Sequence, residues 1–365
     1  MLETRMWKGL DWWLVLVAMG IAGMGLLAVT SATHTSAGHQ YQKQALWLLL
    51  GLGGMAAAAS VDCGRILRLA RPLYVTNLIL LALVFGLGHG AKGAQRWIAL
   101  GSFQFQPSEF AKVCLILCLA AYLAARAEHL NKLSTLLGSL AYLGIPMLLI
   151  FKQPDLGTSL VVLAIWFGMA FVAGARPLHL ALILMTGMLL FGAMWHFNVL
   201  KPYQKSRFIA FLDPKADPAG AGYQVRQSTI AIGSGDVWGR GFERGTQSQG
   251  KFIPENHTDF IFTVVGEEGG FVGALFLIAL YTGLILRGAA AMAYAVDLQG
   301  RLVAAGIVCM IAFHVIVNVG MTMGIMPVTG VPLPLVSYGG SSLVLNLMAV
   351  GLLLSIGKQR HGLIF

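Results

Sequence analysis

The chain has 365 residues, of which 57% are hydrophobic and only 11% charged, and its mean hydropathy is +0.75. A soluble globular chain carries roughly 25% charged residues. So apolar a surface excludes a soluble enzyme and asks for a bilayer. The formal charge of +10 does not indicate nucleic acid, because the basic residues sit in short clusters between apolar runs, as positive-inside anchors do.

Ten apolar runs follow one another: Leu10–Ala32, Ala45–Ser60, Pro72–Gly88, Pro107–Ala125, Leu136–Phe151, Gly157–Gly174, His179–Phe197, Gly269–Leu286, Leu302–Gly320 and Ser341–Gly357. Backbone polar groups must be satisfied within the bilayer, so these runs are predicted to be helices. The expected fold class is an all-α polytopic membrane protein, one transmembrane unit over residues 1–365. The first run has the length of a span and reads as an uncleaved first helix, not a secretory signal. The second, fifth, sixth and tenth are short or Gly-rich, which predicts close packing or burial away from lipid. Cys114 and Cys118, one helical turn apart, and Cys309 read as buried small hydrophobes.

Numbering the loops alternately puts Arg5, Lys8, Arg65, Arg68, Arg71, Arg126, Lys132, Arg176, Arg287, Arg301, Lys358 and Arg360 on one side. The short loops opposite hold only Lys43, Lys92, Arg96 and Lys152, with Lys112 just inside a span. The first side is therefore expected to be cytoplasmic, with both termini. Between the seventh and eighth runs lies a long polar outer loop, from about Val199 to about Glu268. Structureless loops beyond about 15 residues are uncommon unless functional. Within it, Tyr223–Ile232 (Y-Q-V-R-Q-S-T-I-A-I) has mixed polarity at helical spacing and predicts a short interfacial helix.

Charges at the mouths of spans are costly and mark where chemistry would sit. Four such places lie on the outer side. In Pro254–Phe262 (P-E-N-H-T-D-F-I-F), Asp259 stands where the chain re-enters the membrane. A carboxylate there suits a general base with a raised pKa, or a metal ligand; alternatively Asp259 or Thr258 merely caps a helix. In Gln106–Lys112 (Q-P-S-E-F-A-K), Pro107, Ser108 and Glu109 read as a helix start. Glu109 and Lys112 share a face and can pair, either as a structural tie or with the ammonium poised for a pyrophosphate. In Gln153–Ser159 (Q-P-D-L-G-T-S), Asp155 is a site residue or a helix cap. In Met326–Ser342 (M-P-V-T-G-V-P-L-P-L-V-S-Y-G-G-S-S), three prolines and three glycines exclude a regular helix. Such backbone at membrane depth is the wall of a groove or a plain connection.

Arg96, Lys201, Lys205, Arg207, Arg226, Arg240 and Arg244 make the outer face basic, which suits an anionic lipid head group or pyrophosphate. For each one alone, a solvated surface charge is the plainer reading. His257 reads as a polar neighbour. No Cys/His cluster has zinc spacing, and no phosphate-cradling Gly-rich loop opens a helix, so nothing points to ATP.

At these residues the chain resembles the shape, elongation, division and sporulation family, the RodA and FtsW polymerases. The resemblance covers nearly the whole chain. It rests on P-E-N-H-T-D-F-I-F, Q-P-D-L-G-T-S and S-Y-G-G-S-S together. Within Lys201–Gln249 it extends to K-P-Y-Q-K-S-R, F-L-D-P-K-A-D-P and G-A-G-Y-Q-V-R-Q-S. The stretches G-T-Q-S-Q (Gly245–Gln249) and M-P-V-T-G (Met326–Gly330) are similar to the RodA branch. The chain departs from the pattern at Asn256–His257 and at Leu335, where Phe is usual.

The resemblance implies a peptidoglycan glycosyltransferase that joins lipid II units into glycan strands during cell elongation, at the outer face of the bacterial cytoplasmic membrane. It implies Asp259 as catalytic base. It favours functional roles for Glu109, Lys112 and Asp155; together with Arg96, Lys205 and Arg207 of the basic outer face and Ser337 and Tyr338 of the Met326–Ser342 stretch, these are the expected substrate contacts, the substrate being the nascent strand and its precursor on undecaprenyl pyrophosphate. No cofactor is required by the sequence; a divalent cation, Mg or Mn, is one of several ways to steady the leaving pyrophosphate. A class B penicillin-binding protein is implied as partner, because the chain has no transpeptidase domain, along with other elongation-complex proteins. Two other classes stay open: a flippase that moves lipid II, and a scaffold that only recruits the transpeptidase. A flippase predicts critical charges spread through the bundle's depth, whereas here they crowd the outer mouth.

Overall fold

Apolar length dictates the architecture. The structure, a computed structural model, describes residues 9–34, 39–88, 96–100, 103–213, 217–218, 220–250 and 252–359. Arg5, Lys8, Lys92 and Arg360 of the charge pattern, and part of F-L-D-P-K-A-D-P, lie outside the described residues. In chain order the elements are α1 (Trp12–Thr33), α2 (Gln40–Ser60), α3 (Cys63–Leu67), α4 (Ala70–Leu87), a hairpin of β1 (Ile98–Leu100) and β2 (Phe103–Phe105), α5 (Pro107–Ala124), α6 (Leu133–Lys152), α7 (Leu156–Val172), α8 (Pro177–His196), α9 (Pro202–Leu212), α10 (Ala221–Ser234), α11 (Thr246–Gln249), α12 (Ile261–Ala293), α13 (Leu298–Thr322) and α14 (Gly340–Gln359). The hairpin strands are antiparallel, with Ile98 opposite Phe105.

Each of the ten apolar runs coincides with helix, running past its ends by at most two residues. Among the described residues, seven helices are long and apolar enough to cross a membrane: α1, α5, α6, α8, α12, α13 and α14. Ala70–Gly86 and Leu156–Val172 are apolar but shorter. The chain is a multi-pass membrane protein. Leu10, Ser60 and Leu354 line one cleft, so the chain enters and leaves the bundle at the same end. There Arg287 donates to Asp11 through Nε at 2.8 Å and Nη2 at 2.5 Å.

Buried small residues allow close packing. A Cβ on Gly351 would lie 2.4 Å from Met55 O, and one on Gly51 2.5 Å from Leu347 Cδ1, so α2 and α14 meet nearly backbone to backbone. The thiols of Cys114 and Cys118 are buried in α5 and donate to Leu73 O and Ala70 O, both at 3.2 Å.

The eighth run departs from expectation. Its helix starts at Ile261, not Gly269, and breaks at Gly270 (φ 63°, ψ −162°). The polar stretch Gly266–Gly269 is helical because its carboxylates are satisfied elsewhere. Glu267 accepts from Gln247 N at 2.8 Å, Ser248 N at 2.9 Å and Ser248 Oγ at 2.5 Å, and Glu268 accepts from Ser31 Oγ at 2.5 Å. The break frees backbone groups, and Asp236–Gly241 takes them up. Arg240 N and Gly241 N donate to Glu267 O and Glu268 O, both at 3.0 Å; Phe271 N and Val272 N donate to Asp236 O at 2.8 Å and Val237 O at 3.1 Å. Interrupted backbone in a membrane protein needs such partners. A helix rises about 25 Å from Arg287 to Gly270 at 1.5 Å per residue, so the break lies at the end of the bundle far from Asp11. The expected long loop is therefore built: α9, α10 and α11, with the predicted helix at Tyr223–Ile232 docked on α12 and α13. Ser228 Oγ contacts Thr263 Oγ1 at 2.5 Å and donates to Thr322 O at 2.7 Å.

Candidate active site

Asp259 closes the turn that precedes α12. Phe260 is the N-cap of that helix and no side chain caps it, so the carboxylate is not a cap. The turn is gripped at three consecutive carbonyls. Tyr338 N donates to His257 O at 2.9 Å, Ser337 Oγ to Thr258 O at 2.7 Å and Asn318 Nδ2 to Asp259 O at 2.8 Å. With the main chain so held, the half-buried carboxylate is acted on by charge. Burial pushes its pKa up to about 6, Glu255 adds to the rise, and Arg207 and Arg96 pull it back.

Two cations approach from separate elements. Arg207, on α9, donates through Nη1 to Thr329 O at 2.9 Å. Burial lowers its pKa and the nearby Asp259 raises it. A Cβ built on Gly330 (φ +73°) would lie 3.3 Å from Asp259 Oδ2 and 3.6 Å from Arg207 Nη1. Glycine is needed there for its left-handed backbone, and its missing side chain leaves the space between carboxylate and guanidinium open. Arg96, beside β1, donates through Nε to Gln153 O at 3.2 Å and through Nη2 to Pro154 O; its Nη1 lies 3.9 Å from Asp155 Oδ1.

Asp155 is 4% exposed and is the N-cap of α7. It accepts from Thr158 N at 3.2 Å, Thr158 Oγ1 at 2.9 Å and Ser108 Oγ at 3.3 Å. Its carboxylate therefore holds α5, α7 and Arg96 together. One turn further along α5, Lys112 donates to Glu109 Oε1 at 2.7 Å and lies 2.9 Å from His314 Nε2. His314 Nδ1 is 2.7 Å from Met310 O, so Nδ1 carries the proton and Nε2 accepts from the ammonium.

The FtsW/RodA/SpoVE family model, described as cell cycle protein, matches residues 11–362. The chain belongs to this family. It is 40% identical over 353 residues to the peptidoglycan glycosyltransferase MrdB of Escherichia coli, covering 96% of this chain and 94% of the relative. It is 36% identical to the peptidoglycan glycosyltransferase RodA of Treponema pallidum, covering 96% and 98%. A solved chain from a peptidoglycan synthase complex that coordinates polymerization and crosslinking matches with a TM-score of 0.82 and 39% identity, covering 97% and 99%.

Within this FtsW/RodA/SpoVE fold, several expected substrate contacts are engaged by neighbouring protein groups. Lys112 is 1% exposed and Glu109 3%; the ammonium is enclosed by its two partners and offers nothing to the mouth. Ser337 is buried and its hydroxyl is engaged on both sides, accepting from Leu333 N at 2.8 Å while donating to Thr258 O. Tyr338 packs its half-buried ring beside His257 at 5.7 Å. Lys205 points away: two positions from Arg207 on α9, it donates to Asn198 Oδ1 and sits 5.4 Å over the Trp195 ring. Arg207, Arg96 and Asp155 lie near enough to Asp259 to act on its charge.

Sequence reasoning missed His314, Asn318 and Tyr203. Tyr203 donates to Pro154 O at 3.5 Å, next to Arg96. His314 and Asn318 stand a turn apart in an apolar span (H-V-I-V-N), and polar residues at membrane depth are a signal of that kind. Among the described residues no three His, Cys, Asp or Glu side chains converge as a metal cluster.

Proposed function

We propose that this chain is a peptidoglycan glycosyltransferase that polymerises lipid II at the outer face of the cytoplasmic membrane. The observation that carries the reading is the Asp259 carboxylate: half-buried, held by its main chain, raised to about pKa 6 and separated from Arg207 by the gap at Gly330. The acceptor sugar hydroxyl attacks the anomeric carbon of the donor chain. A new glycosidic C–O bond forms, the anomeric C–O bond to phosphate breaks, and undecaprenyl pyrophosphate leaves with the electron pair. The hydroxyl proton passes to Asp259. Transfer to a positioned base typically contributes about 100- to 10,000-fold. Arg207 and Arg96 stabilise the charge that grows on the leaving phosphate.

A divalent cation fits the same place. Mg²⁺ is commonly bound through one or two carboxylates plus substrate phosphates, and Asp259 is an oxygen donor at the mouth. Such an ion would supply further charge neutralisation at the pyrophosphate.

The bundle crosses the membrane ten times, with both termini cytoplasmic. This orientation follows from the Lys/Arg asymmetry. Cysteine labelling tests it. Arg244 and Lys132 are both exposed, so an impermeant reagent added outside should reach Arg244→Cys and spare Lys132→Cys. Gly245 is the poorer site, because a Cβ there would lie 2.7 Å from Glu267 Oε2. Labelling of Lys132→Cys from outside would overturn the orientation.

The partner is a class B penicillin-binding protein of the elongation machinery; the synthase complex of the solved relative supports this. Purified protein should form glycan polymer from lipid II, resolved on a gel, and more of it with that partner present. No polymer in either condition would remove the reading.

A further inference from the structure

We propose that Asn318 is a positioning residue for this reaction: its side-chain amide fixes the Asp259 main chain against Val331 and so sets where the carboxylate points. The inference rests on the reading of Asp259 as the base. Asn318 lies on α13 and is 0% exposed. Its Nδ2 donates to Asp259 O at 2.8 Å and to Val331 O at 2.7 Å. Both neighbours are acceptors, so only the NH₂ end of the amide can face them. The two protons on one nitrogen therefore link the turn that carries the base to the segment that carries Gly330. That segment forms one wall of the gap between Asp259 and Arg207.

Of the three grips on the turn, those on His257 and Thr258 come from Tyr338 and Ser337 respectively, in an irregular loop. The grip on Asp259 itself comes from a long helix. That helix is tied in turn: one turn below Asn318, His314 accepts from Lys112 of α5, and one turn above, Thr322 O accepts from Ser228 of α10. A polar stripe on one face of α13 thus refers the position of Asp259 to two other helices. A base displaced by about 1 Å loses on the order of 100-fold in rate, so a rigid reference for its main chain bears directly on turnover.

The test compares three purified variants with wild type, using initial rates of polymerisation over a range of lipid II concentrations together with thermal unfolding. Asn318→Leu keeps the volume and removes the donor. Asn318→Ser leaves room for water and serves if the leucine variant does not fold. Asn318→Gln keeps the amide on a longer arm. Loss of positioning predicts a kcat lowered about 10- to 100-fold in the folded Leu or Ser variant, a KM within about threefold of wild type by the same argument, and partial recovery of kcat in Asn318→Gln. A merely structural role predicts a lower melting temperature, wild-type kcat in the folded fraction, and the glutamine variant as the worst because it overfills the site. That pattern overturns the proposal. Asp259→Asn, assayed in parallel, separates the two failures. If it polymerises at the wild-type rate, the base reading fails; if it is inactive while folded Asn318→Leu and Asn318→Ser turn over normally, only the role of Asn318 fails.

Discussion

Glu109 and Asp259 are both acids at the polar end of the bundle, and the fold treats them differently. Glu109 is 3% exposed, and its charge is met by Lys112 at 2.7 Å, with His314 closing the other side of the ammonium. Asp259 is half-buried, and the hydrogen bonds around it go to its main chain, leaving the carboxylate beside Arg207 across the space above Gly330. A charge neutralised at contact distance holds helices together. A charge kept near cations but short of them is available to a substrate. Burial is common to both, so burial alone does not mark a reacting group; how the charge is met does.

The largest effect is expected at Asp259. Asp259→Asn should lower polymerisation by about 100- to 10,000-fold while the melting temperature stays near that of wild type. A large loss of stability would place Asp259 with Glu109 and break the contrast. Next is the enclosed pair. Lys112→Met leaves Glu109 buried and unmatched, which costs about 3–5 kcal/mol and should appear in thermal unfolding. The double variant Glu109→Gln/Lys112→Met should recover most of that stability. A stable but inactive Lys112→Met would move the pair from support to chemistry. Arg207→Gln should cost less than loss of the base, about 10- to 100-fold in rate, because Arg96 remains. The smallest effect is on the pH profile. A base must be deprotonated, so the rate should fall as pH drops through about 6, where burial has pushed Asp259. Removing Arg207 takes away a cation that pulls this pKa down, so Arg207→Gln should move the acid limb to higher pH. A shift to lower pH would mean that Arg207 does not act on Asp259.

Much of the fold was legible because membrane helices announce themselves by length and apolarity. Each of the ten runs coincides with helix to within two residues of its ends, and the helix at Tyr223–Ile232 stands out by its period. The start of α12 was not legible. Glu267 and Glu268 look like loop residues until their partners are known, and those partners, Gln247, Ser248 and Ser31, are distant in sequence. At the candidate site the charges were legible in the sequence and their contacts were not. Asp259 and Asp155 stand out as charges at span mouths, and Arg96 and Arg207 only as part of a basic outer face; all three neighbours lie near enough to act on the Asp259 charge. The neighbours of Lys112 and Ser337 were not legible, since a residue's type does not say which groups it will meet. Asn318 carried a weaker signal, as an uncharged polar residue inside a span.

The central claim is that Asp259 does chemistry and does not merely admit lipid. It is tested most directly by reconstituting wild type and Asp259→Asn in vesicles with lipid II, and measuring glycan polymer and lipid II transport in the same preparation. The expected result is loss of polymer in Asp259→Asn with lipid II movement unchanged from wild type. Normal polymer with lost movement would contradict it, and would make the chain a transporter.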